Sequence, residues 1–165
     1  MSNGKSVKSL VSIIFMIIIL LCGIIILGVY MNEKWKSLRD VRRRGDIQTV
    51  KKAINFYSLD KNYLPPNETE REWDSSYDPG NNHQTLFKTL REEELLSHIF
   101  DPKNDLEHNY KYHRFEKGEY GCERPFAIFQ VVNFETLVAD NGEGACPERN
   151  FVLEAPNGYT IQWFE

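Results

Sequence analysis

Side chains able to do chemistry are few in this chain, and they are scattered. Its four histidines are His83, His98, His108 and His113. His108 and His113 stand five apart, which on a strand turns them to opposite faces. No His-Glu-x-x-His run, Cys-x-x-Cys pair or phosphate-cradling glycine loop occurs. A Gly-x-Ser-x-Gly elbow is also missing. No catalytic or cofactor-binding residue is assigned, and the chain is not expected to be an enzyme. Two oxygen-rich stretches have the composition of a calcium loop: Asp101/Asn104/Asp105 and Asp140/Asn141/Glu143. Calcium takes roughly six to eight oxygens from a curved loop. Asp and Asn are equally favoured in ordinary turns, where their side chains bond nearby backbone. The turn is the preferred reading and calcium the alternative. Glu92, Glu93 and Glu94 read as a solvated rim, and Asn67-Glu68-Thr69 as a polar turn that also fits the glycosylation pattern.

The cysteines bear on compartment. Cys22 lies in an apolar run and reads as a small filler. Cys122 and Cys146 remain as one even pair. If bridged, their loop stabilises the fold by roughly 3–4 kcal/mol on the chain-entropy model. Such a bond persists in oxidising compartments, and two unpaired thiols suit the cytosol.

Charge divides the chain. Residues 1–30 carry +2, residues 31–59 carry +5 and residues 60–165 carry −11, for a net −4. An acidic C-terminal domain behind a basic neck is a poor design for binding nucleic acid, and none is predicted as a partner. Leu10–Tyr30 contains no charge. As a helix it is roughly 30 Å long, one bilayer core. A cleaved secretory signal has a shorter apolar stretch, about 7–15 residues, and a small-residue site that "ILGVYMNEKW" does not offer. A retained anchor is predicted, with the lipid bilayer as partner. Tyr30 and Trp35 suit one interface. The basic neck (Lys34, Lys36, Arg39, Arg42, Arg43 and Arg44) is read as membrane-proximal, facing anionic headgroups or simply water. Taken alone, the positive-inside rule puts the C-terminal domain in the cytoplasm, while the cysteine pair argues for the other side.

These residues need elements to position them. From Lys36 to Leu59 the pattern is helical, with Ile47, Val50, Ile54 and Tyr57 on one stripe flanked by Ala53 and Phe56. Nothing from Ser6 to Ser58 demands a break, so one helix of about 50 residues, roughly 75–80 Å, is predicted. Pro65-Pro66 ends that segment. A polar acidic loop with a Pro79-Gly80 turn follows over residues 67–82, then a short helix over His83–Phe100 burying Leu86, Phe87, Leu90, Leu95 and Leu96. Asn109–Phe115 alternates as a strand, and Phe126–Phe134 is apolar on both faces, as a central strand is. Residues 135–149 read as a long loop containing Cys146, and residues 150–164 as a hairpin around Asn157-Gly158. The fold class is α+β: a long N-terminal helix, membrane-spanning in its first half, packed on an antiparallel sheet of three or four strands. The stripe Ile47/Val50/Ile54/Tyr57 is the expected cover of the sheet's apolar face. The organisation is a cytoplasmic segment (1–9), a transmembrane helix (10–30), its amphipathic continuation (31–59) and an extracytoplasmic α+β head (60–165).

"LRDVRRRGDIQTVKKAINFYSLDKNYLPP", Leu38–Pro66, resembles the post-membrane segment of type IV pilin-like proteins and type II secretion pseudopilins. Arg39-Asp40, Arg42-Arg43, Asp46, Val50, Ala53-Ile54, Tyr57, Tyr63 and Pro65 stand at matching places. "FDPKND", Phe100–Asp105, with Tyr110 and Tyr112, resembles the stretch that enters that family's sheet. A cysteine pair across the last strands is familiar there too. The resemblance implies a half-embedded helix spine, an extracytoplasmic pilin-like head despite the arginine cluster, and stacking with other pilin-like subunits through the helices. "LVADNGEG", Leu137–Gly144, faintly echoes the calcium loop of major pseudopilins. The sequence departs from the family at the peptidase site, a glycine, then Phe or Met, then a glutamate four residues on. Gly4 is followed by Lys5, no acidic residue precedes Glu33, and the span lacks the family's helix-breaking proline. The alternative expectation is therefore an unprocessed single-pass protein that displays a non-polymerising extracytoplasmic binding domain.

Overall fold

The computed structural model describes residues 3–69, 73–77, 86–136 and 140–165, with side chains from Ile13 onward. The chain divides into two compact units, Met1–Leu38 and Arg39–Glu165. Helix α1, Asn3–Lys61, runs unbroken from the first into the second. In the first unit its side chains from Ile13 to Met31 are largely exposed, among them Phe15, Leu20, Ile24, Ile26 and Leu27. This is a helix long and apolar enough to cross a membrane by length and composition. A helix apolar on all sides suits lipid as its solvent.

The head begins at Arg39, so the second half of α1 belongs to it. The helix ends two residues beyond the expected boundary, at Lys61. Asn62 takes a left-handed φ of 63° and its N–H donates to the Ser58 carbonyl at 3.0 Å, the terminator that asparagine supplies when glycine does not. Pro65 and Pro66 then keep the chain extended.

Strand β1, Asp74–Ser75, lies inside the segment expected to be loop. Helix α2 is Lys88–Glu92, much shorter than the predicted His83–Phe100. Positive φ at Phe87 and Glu94 brackets it and stops it spreading. Leu86, Phe87, Leu90 and Leu96 are buried as expected, but Leu95 is exposed. The predicted Pro79-Gly80 turn, the start of that helix at His83, and Leu137, Val138 and Ala139 lie outside the described residues.

Strands β2, Tyr110–Phe115, and β3, Phe126–Val131, pair antiparallel with Tyr112 opposite Phe129. Two two-residue strands, β4 (Ala145–Cys146) and β5 (Arg149–Asn150), form a separate small hairpin where one long loop was expected. Strand β6, Tyr159–Phe164, pairs antiparallel with β3, Phe129 opposite Ile161. The main sheet therefore has the order β1-β2-β3-β6, and the fold is α+β with a helix packed on an antiparallel sheet.

The predicted terminal hairpin is not made. Residues 151–154 form a single 3₁₀ turn capped by Asn150, and β6 reaches past it to β3. Gly158 is needed for close backbone approach: a Cβ there would lie 2.1 Å from the Val131 carbonyl oxygen.

Strand β3 is buried on both faces, as the apolar run Phe126–Phe134 predicts. On one face Ala127, Phe129 and Val131 join Tyr110, Tyr112 and the helix stripe Ile47, Val50, Ala53, Ile54 and Tyr57 in one core. On the other face Phe126 and Ile128 join Phe115, Phe151 and the cysteine pair, with Trp73 and Tyr120 at the margin.

Candidate functional site

The second half of α1 is seated on the head by a buried ionic cluster. Its inward positions are Asp40, Arg43, Ile47, Val50, Ile54 and Tyr57, spaced three, four, three, four and three. This is the side of a helix that faces one neighbour. The apolar stripe thus continues toward the N-terminus as an acid and a base.

Arg43 has no exposed side-chain surface. Its Nε and Nη2 donate to Asp101 Oδ2 and Oδ1 at 2.6 and 2.8 Å, a two-pronged pairing that suits a planar guanidinium. Nη1 donates to Asp40 and, at 3.1 Å, to Glu135. Arg39 pairs with both Glu135 oxygens, each at 2.6 Å. Asp40 in turn accepts from the Glu135 and Thr136 N–H groups and from the Thr136 hydroxyl. Two guanidinium groups therefore meet three carboxylates drawn from α1, from the segment before β2 and from the segment after β3. One turn further on, Tyr110 donates to Asp46 at 2.8 Å, and Tyr112 donates to the Pro65 carbonyl at 2.7 Å.

The electrostatics follow. The Glu135 carboxyl is held down at about 2, first by the bonds from Arg39, which outweigh burial, and then by Arg43. Burial works against ionised Asp40, but the Thr136 hydroxyl, the Glu135 N–H and Arg43 overcome it and lower its pKa. Burial likewise opposes the Arg43 charge, and Asp101, Asp40 and Glu135 reverse that and raise it. Burial pushes Asp46 up, against the bond from Tyr110 and the Arg42 charge, which lower it.

Within the basic neck, Arg43 is fully buried and so does not reach headgroups or water, and Arg39 is partly buried; both are bonded to carboxylates of the head. The outward cations are Lys34 over the Tyr30 ring, Lys36 paired with Glu33, Arg42 over Phe100 and Arg44 over Phe134. Reading the sequence missed Glu135, Thr136 and Asp101 as partners. The signal for Asp40 and Arg43 was present, because they prolong the spacing of the buried stripe; nothing in the sequence marks Glu135.

Cys122 and Cys146 are bonded, with Cα atoms 5.3 Å apart, and help close the core on the far face of the sheet. Cys22 is unpaired. Of the calcium alternatives, Asp101 is taken by Arg43 and by the Lys103 N–H, and Asp105 accepts from Glu107, His108 and the His108 ring. A cation at Asp101 would have to displace Arg43. Asp140 accepts from the Gly142 N–H, as a turn residue does. Among the described residues, no three His, Cys, Asp or Glu side chains gather as a metal site. The side chain of Asn67 is bonded on both sides to the Arg114 backbone, locking that turn against β2.

No family model matches this chain, and no curated protein or solved structure matches it.

Proposed function

We propose that the chain is a structural pilin-like or pseudopilin-like subunit, anchored by its N-terminal helix and acting through assembly in a type IV pilus or type II secretion-like system. One observation carries this reading. The two stretches that resemble the family, Leu38–Pro66 and Phe100–Tyr112, bond to each other through Arg43–Asp101, Asp46–Tyr110 and Pro65–Tyr112. The resembling residues thus act together as the seat of the helix on the sheet. The exposed apolar stretch from Ile13 to Met31 supports a lipid anchor. The bonded cysteine pair supports an extracytoplasmic head, since such bonds persist in oxidising compartments.

Cys22 makes assembly testable without a mutation. Oxidative cross-linking in native membranes yields a Cys22-linked dimer if anchors pack together, and a purely monomeric product counts against a subunit role. Mass measurement of the mature protein adds a second test: loss of a short leader, with a methylated new terminus, marks pilin processing. An intact monomeric chain instead supports the display reading, whose warrant is Lys5 after Gly4 and the lack of acid before Glu33. Thiol labelling of whole cells after selective reduction tests the side of the membrane.

A further inference from the structure

We propose that the outer edge of β6 and the groove beside it take up an extended, basic segment of a different protein as an added strand. The inference is independent of how the anchors assemble.

Strand β6 is bonded to β3 on one side only. Thr160 shows which way its other side points. Its N–H donates to the Asn141 carbonyl at 2.9 Å, and its carbonyl accepts from the Glu143 N–H at 3.0 Å, so the loop through Gly142 makes one parallel bridge; beyond it the Ala145 N–H donates to the Gln162 side-chain oxygen and not to its backbone. Backbone direction alternates along an antiparallel pair, so Gln162 and Phe164 present their N–H and C=O groups on the same outer side. Among the described residues, no backbone or side-chain group pairs with those atoms. Exposed edges are usually blunted with a charge, a proline or a bulge. Tyr159–Phe164 has no charge and no proline, and its ladder to β3 is unbroken over six pairs.

A groove of about 380 Å³ lies along this edge on the helix side. Ile161 and Trp163 lie in a mostly polar lining, with Lys51 and Asn55 forming the α1 wall and Asp140 and Glu143 at the loop end. In strand addition, main-chain bonds give affinity and alternate side chains enter neighbouring pockets. Here the main chain bonds Gln162 and Phe164, one side chain of each alternate pair rests on Ile161 and Trp163, and a basic residue lies toward Asp140 and Glu143. The sign of the partner follows from the charge: the head, residues 39–165, carries −7, and among the described residues of the groove Asp140 and Glu143 stand against Lys51 alone. A second copy is the poorer occupant. It brings the same acidic head, and this chain's basic excess, in residues 31–59, lies within helix α1 and not in an extended segment.

The test pans a displayed random octapeptide library against the full chain in detergent. Selected peptides are expected to alternate apolar residues, to be rich in Lys and Arg, and to slow hydrogen exchange at the Gln162 and Phe164 amides. Phe164→Pro removes one outward N–H without touching a bond to β3, and it should weaken those peptides at least tenfold while near-ultraviolet circular dichroism is unchanged. Three results overturn the proposal: a library that yields no binder, selected peptides that leave both amides exchanging at the free rate, or equal binding to the Phe164→Pro protein. A dimer of the chain in sedimentation that Gln162→Pro abolishes also overturns it, by giving the edge to a second copy.

Discussion

Replacing Arg43 with alanine removes a group that touches Asp40, Asp101 and Glu135 together. Asp101 is fully buried and would be left with only the Lys103 and Asn104 N–H groups as partners. Stranding one member of a buried pair costs about 3–5 kcal/mol. A domain of this size has a total stability of about 5–15 kcal/mol, so about a fifth or more is lost. At about 3–5 °C per kcal/mol for such a length, the head should melt ~10–20 °C lower. Near-ultraviolet circular dichroism of the full chain in detergent follows this, since seven of the eight tyrosines and both Trp73 and Trp163 lie in the head. Arg43→Lys should fall between, because an ammonium keeps the charge but loses the two-pronged grip. Arg42→Ala is the control: Arg42 is half exposed and 3.9 Å from Asp46, a pairing of about 0–1 kcal/mol. The reasoning fails if Arg43→Ala melts within about 3 °C of the parent, or no lower than Arg42→Ala.

Acid should weaken the head through Glu135 and Asp40. Both are depressed in the folded state, so their stabilisation is complete above the ordinary carboxylate range and is lost as pH falls toward about 2. Asp46 and Asp74, raised by burial, act with the opposite sign and make that acid limb shallower. Urea midpoints taken between about pH 6 and pH 2 should show a smaller drop for Glu135→Gln than for the parent. Converting Cys122 and Cys146 together to serine should cost about 3–4 kcal/mol by the chain-entropy estimate, read as a lower urea midpoint; no change means the far-face core closes without the bridge. Gly158→Ala drives a Cβ into the Val131 and Val132 carbonyls and should cost about 2–3 kcal/mol, as overpacking does. Gly45→Ala meets nothing within 4 Å in mid-helix and should stabilise by about 1 kcal/mol; a lower melting temperature contradicts that.

The elements legible in the sequence are those whose period is long or whose burial is two-sided. The stripe Ile47/Val50/Ile54/Tyr57 repeats over three turns, and all four side chains are buried under the sheet. Phe126–Val131 reads as central because both faces are apolar, and each is covered by a different core. The short helix was overextended because Leu95 continues the 3.6 pattern, while the positive φ at Glu94 that ends it leaves no mark in a run of glutamates. The hairpin failed because Asn-Gly signals a tight turn between neighbours, whereas here the partner of β6 lies almost thirty residues upstream and the glycine clears a carbonyl of that strand. Glu135 was invisible for a similar reason. It pairs across more than ninety residues, and a lone glutamate after a strand resembles any surface acid.

The ionic seat also changes what the basic neck means. Six cations after the span argued for headgroup contact, and on the simple rule for a cytoplasmic head. Two of them, Arg39 and Arg43, are committed to carboxylates within the head itself. They are paid for by specificity of register: sliding α1 by one turn along the sheet would bring Ile47 to Asp101 and strand that buried carboxylate, a mismatch that an all-apolar stripe would tolerate. We infer that the cluster fixes where the helix sits and the apolar stripe supplies most of the adhesion, since buried ion pairs add little net stability compared with apolar packing. If a variant with Arg43, Asp40, Asp101 and Glu135 all replaced by apolar residues keeps the same hydrogen-exchange pattern in β2 and β3, the register is set by the stripe alone and this division is wrong.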